Sequence, residues 1–254
     1  MSSAEVTTTE RELSGMDTYL TTEFLLAVGQ IIMIDIVLGG DNAVVIALAC
    51  RQLPERQRRL GILYGTMGAI LVRVVLIAFA LALLNLPYVK LVGALLLIWI
   101  GVKLLSADDD GDHNVNSSDK LWQAVKTVVV ADLVMSIDNV IAIAGAAEGA
   151  GGDHKLPLVV FGLLVSIPII VWGSQLVVKL MDRFPIVISA GAGLIGYISG
   201  QMFMSDSFVI EKIGLFSPVT NTIVAISTAV GVIVIGRALS SKRPVGEGNE
   251  SEAS

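Results

Sequence analysis

The sequence predicts an all-α polytopic membrane protein with seven transmembrane helices, two three-helix inverted repeats plus one C-terminal helix. Three observations predict it. Composition is the first: of 254 residues, 54% are hydrophobic and only 16% charged, at a mean hydropathy of +0.78, the balance of a bilayer protein. The second is a succession of apolar runs of helix-spanning length. The third is an internal duplication. Asp35-Ile-Val-Leu-Gly-Gly-Asp41-Asn42 returns as Asp132-Leu-Val-Met-Ser-Ile-Asp138-Asn139, each Asp and Asn recurring 97 positions later (35 to 132, 41 to 138, 42 to 139).

Residues 1–22 form a polar N-terminal tail, with Glu5, Glu10, Glu12 and Asp17 against Arg11. It lacks the basic n-region of a secretory signal, so the first apolar run is expected to stay as a span. The first repeat covers 23–105. Its first span, Phe24 to Cys50, would make roughly 40 Å of helix against a hydrocarbon core of about 30 Å. The surplus permits a break, and Gly39-Gly40 is the natural place for one. Spans near Gly61 to Leu84 and Tyr88 to Leu105 follow, with Pro87 suited to the first turn of the latter.

An acidic linker, 106–119, leads to the second repeat, 120–205, with spans near Leu121 to Ala147, Leu156 to Leu180 and, after a Pro185 turn, Ile186 to Met204. Pro87 and Pro185, Gly93 and Gly191, and Asp108 and Asp206 match at an offset of 98, so the repeat extends beyond the motif. Residues 206–239 are expected to be a loop and a seventh span without a repeat partner, and 240–254 a disordered cytoplasmic tail. Glycines 191, 193, 196 and 200 give the sixth span a small-residue face for close helix packing.

Twelve Lys and Arg residues flank one side of these spans (Arg51, Arg56, Arg58, Arg59, Lys103, Lys120, Lys126, Lys179, Arg183, Arg237, Lys242, Arg243) and four the other (Arg11, Lys90, Lys155, Lys212). The positive-inside rule then puts the N-terminus outside and the C-terminus in the cytoplasm. Three spans per repeat is an odd number, so the halves enter the membrane in opposite senses. Inverted repeats of this kind form midplane substrate sites from broken helices at their interface.

On a continuous helix, positions seven apart lie within about 20° of one direction. Asp35 and Asn42 therefore share a face, as do Asp132 and Asn139. Asp41 and Asp138 lie about 100° round and could join if Gly39-Gly40 or Ser136 loosens the helix. An ionised Asp at a helix centre costs roughly 2.5–3.5 kcal/mol on insertion scales, so four require a cation. A divalent ion, protons or Arg73 could supply it. Arg73 lies mid-span and has Ile170 as its repeat counterpart (73 to 170). It could serve as counter-ion to the acidic set or snorkel to a water-filled cavity.

Carboxylate and amide oxygens suit Mn²⁺, Mg²⁺ and Ca²⁺, whereas zinc and copper recruit imidazole or thiolate. Both histidines, His113 and His154, fall in polar loops, and the single cysteine, Cys50, reads as a packing residue. Met33 and Met135 flank the motifs as packing residues or as soft ligands that would favour Mn²⁺. Trp122, Tyr88 and Trp172 suit interfacial anchoring. No prosthetic group and no nucleic-acid partner are expected, and the chain is not expected to be an enzyme. An intramembrane aspartyl protease would want a Gly-x-Gly-Asp spacing and a Pro-Ala-Leu tripeptide, neither of which occurs. A membrane scaffold for a metal or tellurite stress response, with Asp108 to Asp112 as docking arm, is the other rival.

With Gly39-Gly40-Asp41-Asn42 and Ser136-Ile137-Asp138-Asn139 in view, the sequence resembles the TerC family of bacterial integral membrane proteins, particularly its YjbE-like branch, over about Phe24 to Leu239. The resemblance implies metal-ion transport, with Mn²⁺ exported across the cytoplasmic (inner) membrane, and Mg²⁺ or Ca²⁺ as alternative cargo. It also implies that Asp35, Asp41, Asn42, Asp132, Asp138 and Asn139 are the metal-binding residues. The partners expected are the ion and the bilayer, with homo-oligomerisation left open.

Overall fold

The computed structural model describes residues 26, 29–35, 39–79, 88–106, 117–148, 155–214 and 217–241, without the side chains of 78, 117, 138, 140–148 and 155–158. The N-terminal tail, Pro87, the acidic run 108–112, both histidines, the tail beyond 241 and the Asp138 side chain lie outside the described residues. Helices α1 (Gly29–Asp35), α2 (Gly40–Cys50), α3 (Glu55–Ala78), α4 (Val89–Ser106), α5 (Ser117–Glu148), α6 (Lys155–Arg183), α7 (Ile186–Met204), α8 (Ser207–Ile213) and α9 (Pro218–Ser241) make up the fold. No strand occurs among the described residues.

Among the described residues, five helices are long and apolar enough to cross a bilayer, and α1 with α2, inclined to each other by 47°, would make a sixth. Large apolar side chains point outward all round, among them Leu71, Trp99, Trp122 and Trp172. In water that surface would be a liability; in lipid it is the expected exterior. Buried hydroxyls inside these helices are satisfied locally, Thr66, Ser174 and Ser199 each donating to the carbonyl four residues back, so they make no demand on lipid.

The break between α1 and α2 ends at Gly39, the first of the predicted glycines, with Gly40 opening α2. Gly39 sits so close to the preceding turn that a β-carbon there would collide with the Asp35 carbonyl oxygen, and its own carbonyl accepts from Ala43 N at 3.0 Å to start α2. The second motif behaves differently. Ser136 was expected to loosen its helix, but α5 runs unbroken for 32 residues through it. No glycine pair interrupts α5 there, and the Ser136 hydroxyl donates to a side chain one turn back, leaving the backbone ladder intact.

α2 and α5 lie at the centre. α3 packs on α5 as α6 packs on α2; α4 touches α5 as α7 touches α2; and α2 meets α5, α3 meets α6, and α4 meets α7. The two halves therefore exchange contacts. Individual residues repeat this reciprocity: a β-carbon on Gly65 would lie 3.0 Å from Val128, and one on Gly162 2.6 Å from Ile31, pairs that interconvert at the offset of 97 (65 to 162, 31 to 128). α9 stands outside the exchange, laid across α4 and α7. Three of the four α7 glycines, Gly193, Gly196 and Gly200, face α9, while Gly191 faces Val44 and Leu48 of α2.

The segment after α7, expected as loop, carries the short helix α8. Asp206 explains it. Its fully buried carboxylate accepts from Phe208 N at 2.9 Å, capping α8, and from Leu91 N at 3.1 Å in the first turn of α4. Gly214, at φ 95°, then ends α8. The Tyr88 ring rests on Phe208, centroids 4.5 Å apart, tightening the same junction. Asp206→Ala should therefore lower stability by about 1–3 kcal/mol, and Asp206→Asn by less, since Asn caps nearly as well. Thermal unfolding in detergent checks this; an unchanged midpoint in the alanine variant would mean that water satisfies both helix ends.

Candidate functional site

Asp35 ends α1, Arg73 lies in α3, and Asp132 and Ser136 lie one turn apart on α5. All four are buried, at 1%, 2%, 4% and 0% exposure. The Arg73 guanidinium bridges the two carboxylates. Nη1 donates to Asp35 Oδ1, Nη2 to Asp132 Oδ1 at 2.6 Å, and Nε to Ser136 Oγ at 3.1 Å. Ser136 passes its own hydrogen to Asp132 Oδ2 at 3.0 Å. The planar fork of arginine suits this arrangement, with three donors aimed at three fixed acceptors. The alternative expectation, a snorkelling Arg73, is replaced by a counter-ion at the heart of the molecule, because two carboxylates supply what bulk water would have supplied.

The network is incomplete on one side. Two carboxylates share a single guanidinium, and Asp35 Oδ2 has no hydrogen-bond partner. The Ser166 hydroxyl faces the Asp35 carboxyl but donates to the Gly162 carbonyl at 3.1 Å. Beside the triad, Asn42 is buried with neither amide atom partnered. It joins Asp132, Val45, Ile46 and Val128 around a void of about 10 Å³, room for roughly one water. Unsatisfied polar atoms at such a spot are unusual, and a void of this size lets a water or a bare ion meet them.

Asp35, Asn42 and Asp132 are thus brought together, with Gly39 at the bend and Arg73 between the carboxylates. Asn139 is buried on α5, seven residues beyond Asp132 on the same helix face. Asp41 stands apart. It is half-buried in the first turn of α2, where a helix N-terminus favours negative charge, with Oδ1 accepting from Asn42 N at 2.8 Å. Gly40 beside it is exposed. Among the described residues, no three His, Cys, Asp or Glu side chains gather as a metal shell. Met33 is 62% exposed on the outer surface, away from the carboxylates, and Met135 packs in the apolar core, so neither stands as a soft ligand here. Ser166 was missed by sequence reasoning; its only signal was a lone hydroxyl in an apolar run whose repeat counterpart is Ala69 (69 to 166).

Described residues that are helical throughout, with an apolar exterior and ionisable side chains buried between the helices, define a multi-pass membrane protein with an intramembrane polar site. The chain belongs to the TerC family of integral membrane proteins, whose family model matches residues 20–244. It is 44% identical over 194 residues to the uncharacterized membrane protein YjbE of Bacillus subtilis, covering 76% of this chain and 84% of that protein. It is 28% identical to the uncharacterized membrane protein YceF of the same organism over 69% of each chain. The UPF0053 protein YegH of Escherichia coli is 25% identical over 74% of this chain and 37% of its own length. No solved structure matches the chain.

Proposed function

We propose that this protein transports a divalent metal ion, exporting Mn²⁺ from the cytoplasm across the bacterial cytoplasmic membrane. Asp35, Asp41, Asn42, Asp132, Asp138 and Asn139 supply oxygen ligands. One observation carries the reading: carboxylates from two different helices converge on a single buried cationic position, beside an amide whose polar atoms have no partner. Such a position exceeds what interhelical packing needs, and its hard oxygen donors match Mn²⁺, Mg²⁺ or Ca²⁺ better than softer metals.

The reciprocal contacts of the halves support an inverted repeat, and α5, counted as a span beside the other six, gives seven. Three spans per repeat turn the second half over, so that α2 and α5 cross near the midplane where alternating access needs its site. One helix of the two is broken, at Gly39, and the other is continuous. The Lys and Arg distribution puts the C-terminus in the cytoplasm.

Uptake into everted vesicles tests the reading. Wild type is expected to accumulate Mn²⁺, and Asp41→Asn and Asp138→Asn to lose at least tenfold in initial rate at matched expression and folding. Wild-type rates in both variants would make the Asp-Asn motifs structural. Mg²⁺ or Ca²⁺ accumulation without Mn²⁺ would reassign the cargo and keep the site.

A further inference from the structure

We infer that Arg73 is a tethered cation that trades places with the transported ion, clasping Asp35 and Asp132 while the site is unloaded and releasing them when metal arrives. This rests on the transport reading above. The Oδ1 atoms that would ligate a metal from either side are the ones Arg73 holds, each through a different Nη. A guanidinium and a divalent ion repel each other and cannot both occupy the space between the same carboxylates. The adjoining void, at about 10 Å³, holds roughly one water, too little for a hydrated ion, so loading requires both dehydration and departure of the arginine.

The atoms without partners show where exchange begins. Asp35 Oδ2 and Asn42 Oδ1 are buried oxygens without a hydrogen bond beside the clasp, and both can ligate a hard cation. An arriving ion can therefore be met before any existing bond breaks, with Arg73 then released from one carboxylate at a time. The duplication gives the arginine no charged counterpart. Arg73 reaches Ser136, and its counterpart Ile170 lies over Gly39, the residue matching Ser136 (73 to 170, 39 to 136). The scaffold offers two equivalent slots, and only one carries charge.

A carrier whose empty site holds its own cation can reorient without a borrowed one. Removing Arg73 should therefore separate two fluxes. Loaded exchange of Mn²⁺ for Mn²⁺ never presents bare carboxylates to the apolar barrier and should persist. Net flux requires the empty site to return and should fail.

The test uses purified full-length protein in nanodiscs for Mn²⁺ binding and in liposomes for flux. Arg73→Gln is expected to bind Mn²⁺ at least tenfold more tightly than wild type, keep exchange of radioactive Mn²⁺, and lose at least tenfold in net flux. Folded Arg73→Gln that binds no more tightly, or that loses exchange and net flux together, would overturn the inference and leave Arg73 a structural clasp. Arg73→Lys keeps the charge without the fork and serves if the glutamine variant does not fold. Tighter binding with net flux retained supports the exchange of cations, and any other pairing overturns it. A wild type that neither binds nor moves Mn²⁺, Mg²⁺ or Ca²⁺ would instead refute the transport reading itself, and the inference with it.

Discussion

Asp132→Ala is expected to abolish net Mn²⁺ flux and also to cost about 1–3 kcal/mol of stability, the usual penalty for leaving buried donors without an acceptor. Both Asp132 oxygens are engaged, one by Arg73 and one by Ser136, so truncation strands two donors between α3 and α5, the helices that pack most extensively across the halves. Asp132→Asn separates the two effects. It retains an acceptor for Arg73 Nη2 and leaves Arg73 paired with Asp35, so its stability should stay far closer to wild type while transport is still lost. Cys50, the only cysteine and fully buried, provides the readout, since a thiol-reactive dye labels it only on unfolding. An alanine variant that unfolds at the wild-type midpoint would show that the ion pairs do not hold α3 against α5.

Gly200→Val should be nearly as damaging by a different route. A β-carbon at Gly200 would meet the Thr228 hydroxyl oxygen and lie 2.6 Å from Ala225 Cα and 3.1 Å from Ala225 N. Two of these obstacles are backbone of α9, which cannot rotate away, so α9 must shift bodily off α7. Overpacking at such a contact costs about 1–3 kcal/mol or more. Gly231 on α9 supplies the control. Nothing lies within 4 Å of a β-carbon there, and Gly231→Ala should leave stability unchanged or raise it by up to about 1 kcal/mol. The same dye assay ranks the three proteins, and equal midpoints for Gly200→Val and wild type would contradict close α7–α9 contact.

Much of this was legible because it depends on local chemistry. The offset of 97 identified Asp35 and Asp132 as equivalents before any coordinates, and Gly39 was a credible bend because paired glycines weaken a helix wherever they stand. The α7 glycines announced a close helix neighbour, although nothing in their spacing said that Gly191 would turn toward α2. Other features depended on which side chains meet across the bundle. Arg73 read equally well as a counter-ion or as a snorkelling residue, since the choice rests on its distance from Asp35 and Asp132. Asp41, about 100° off the shared face of an ideal helix, comes within electrostatic reach of Arg73 and Asp132 just after the bend, a proximity that helix rotation alone does not give. Ser136 looked like a weak point of α5 until its hydroxyl was seen to serve Asp132. The seven residues of α8 are too few for a periodic signal, and their cap, Asp206, also serves a helix more than 100 positions earlier in sequence.

The buried triad also bears on how the polypeptide is assembled. Asp35, Arg73 and Asp132 leave the ribosome in that order, and each alone in a membrane helix carries an insertion penalty of roughly 2.5–3.5 kcal/mol. The first two cancel as soon as α1 and α3 come together, so the leading helices can partition into lipid as a self-neutralising unit. The trailing half has Ile170 where the leading half has Arg73, and brings Asp132 with no guanidinium of its own at the matching place. A single asymmetric residue thereby makes the later half depend on the earlier one for the counter-ion of its carboxylate.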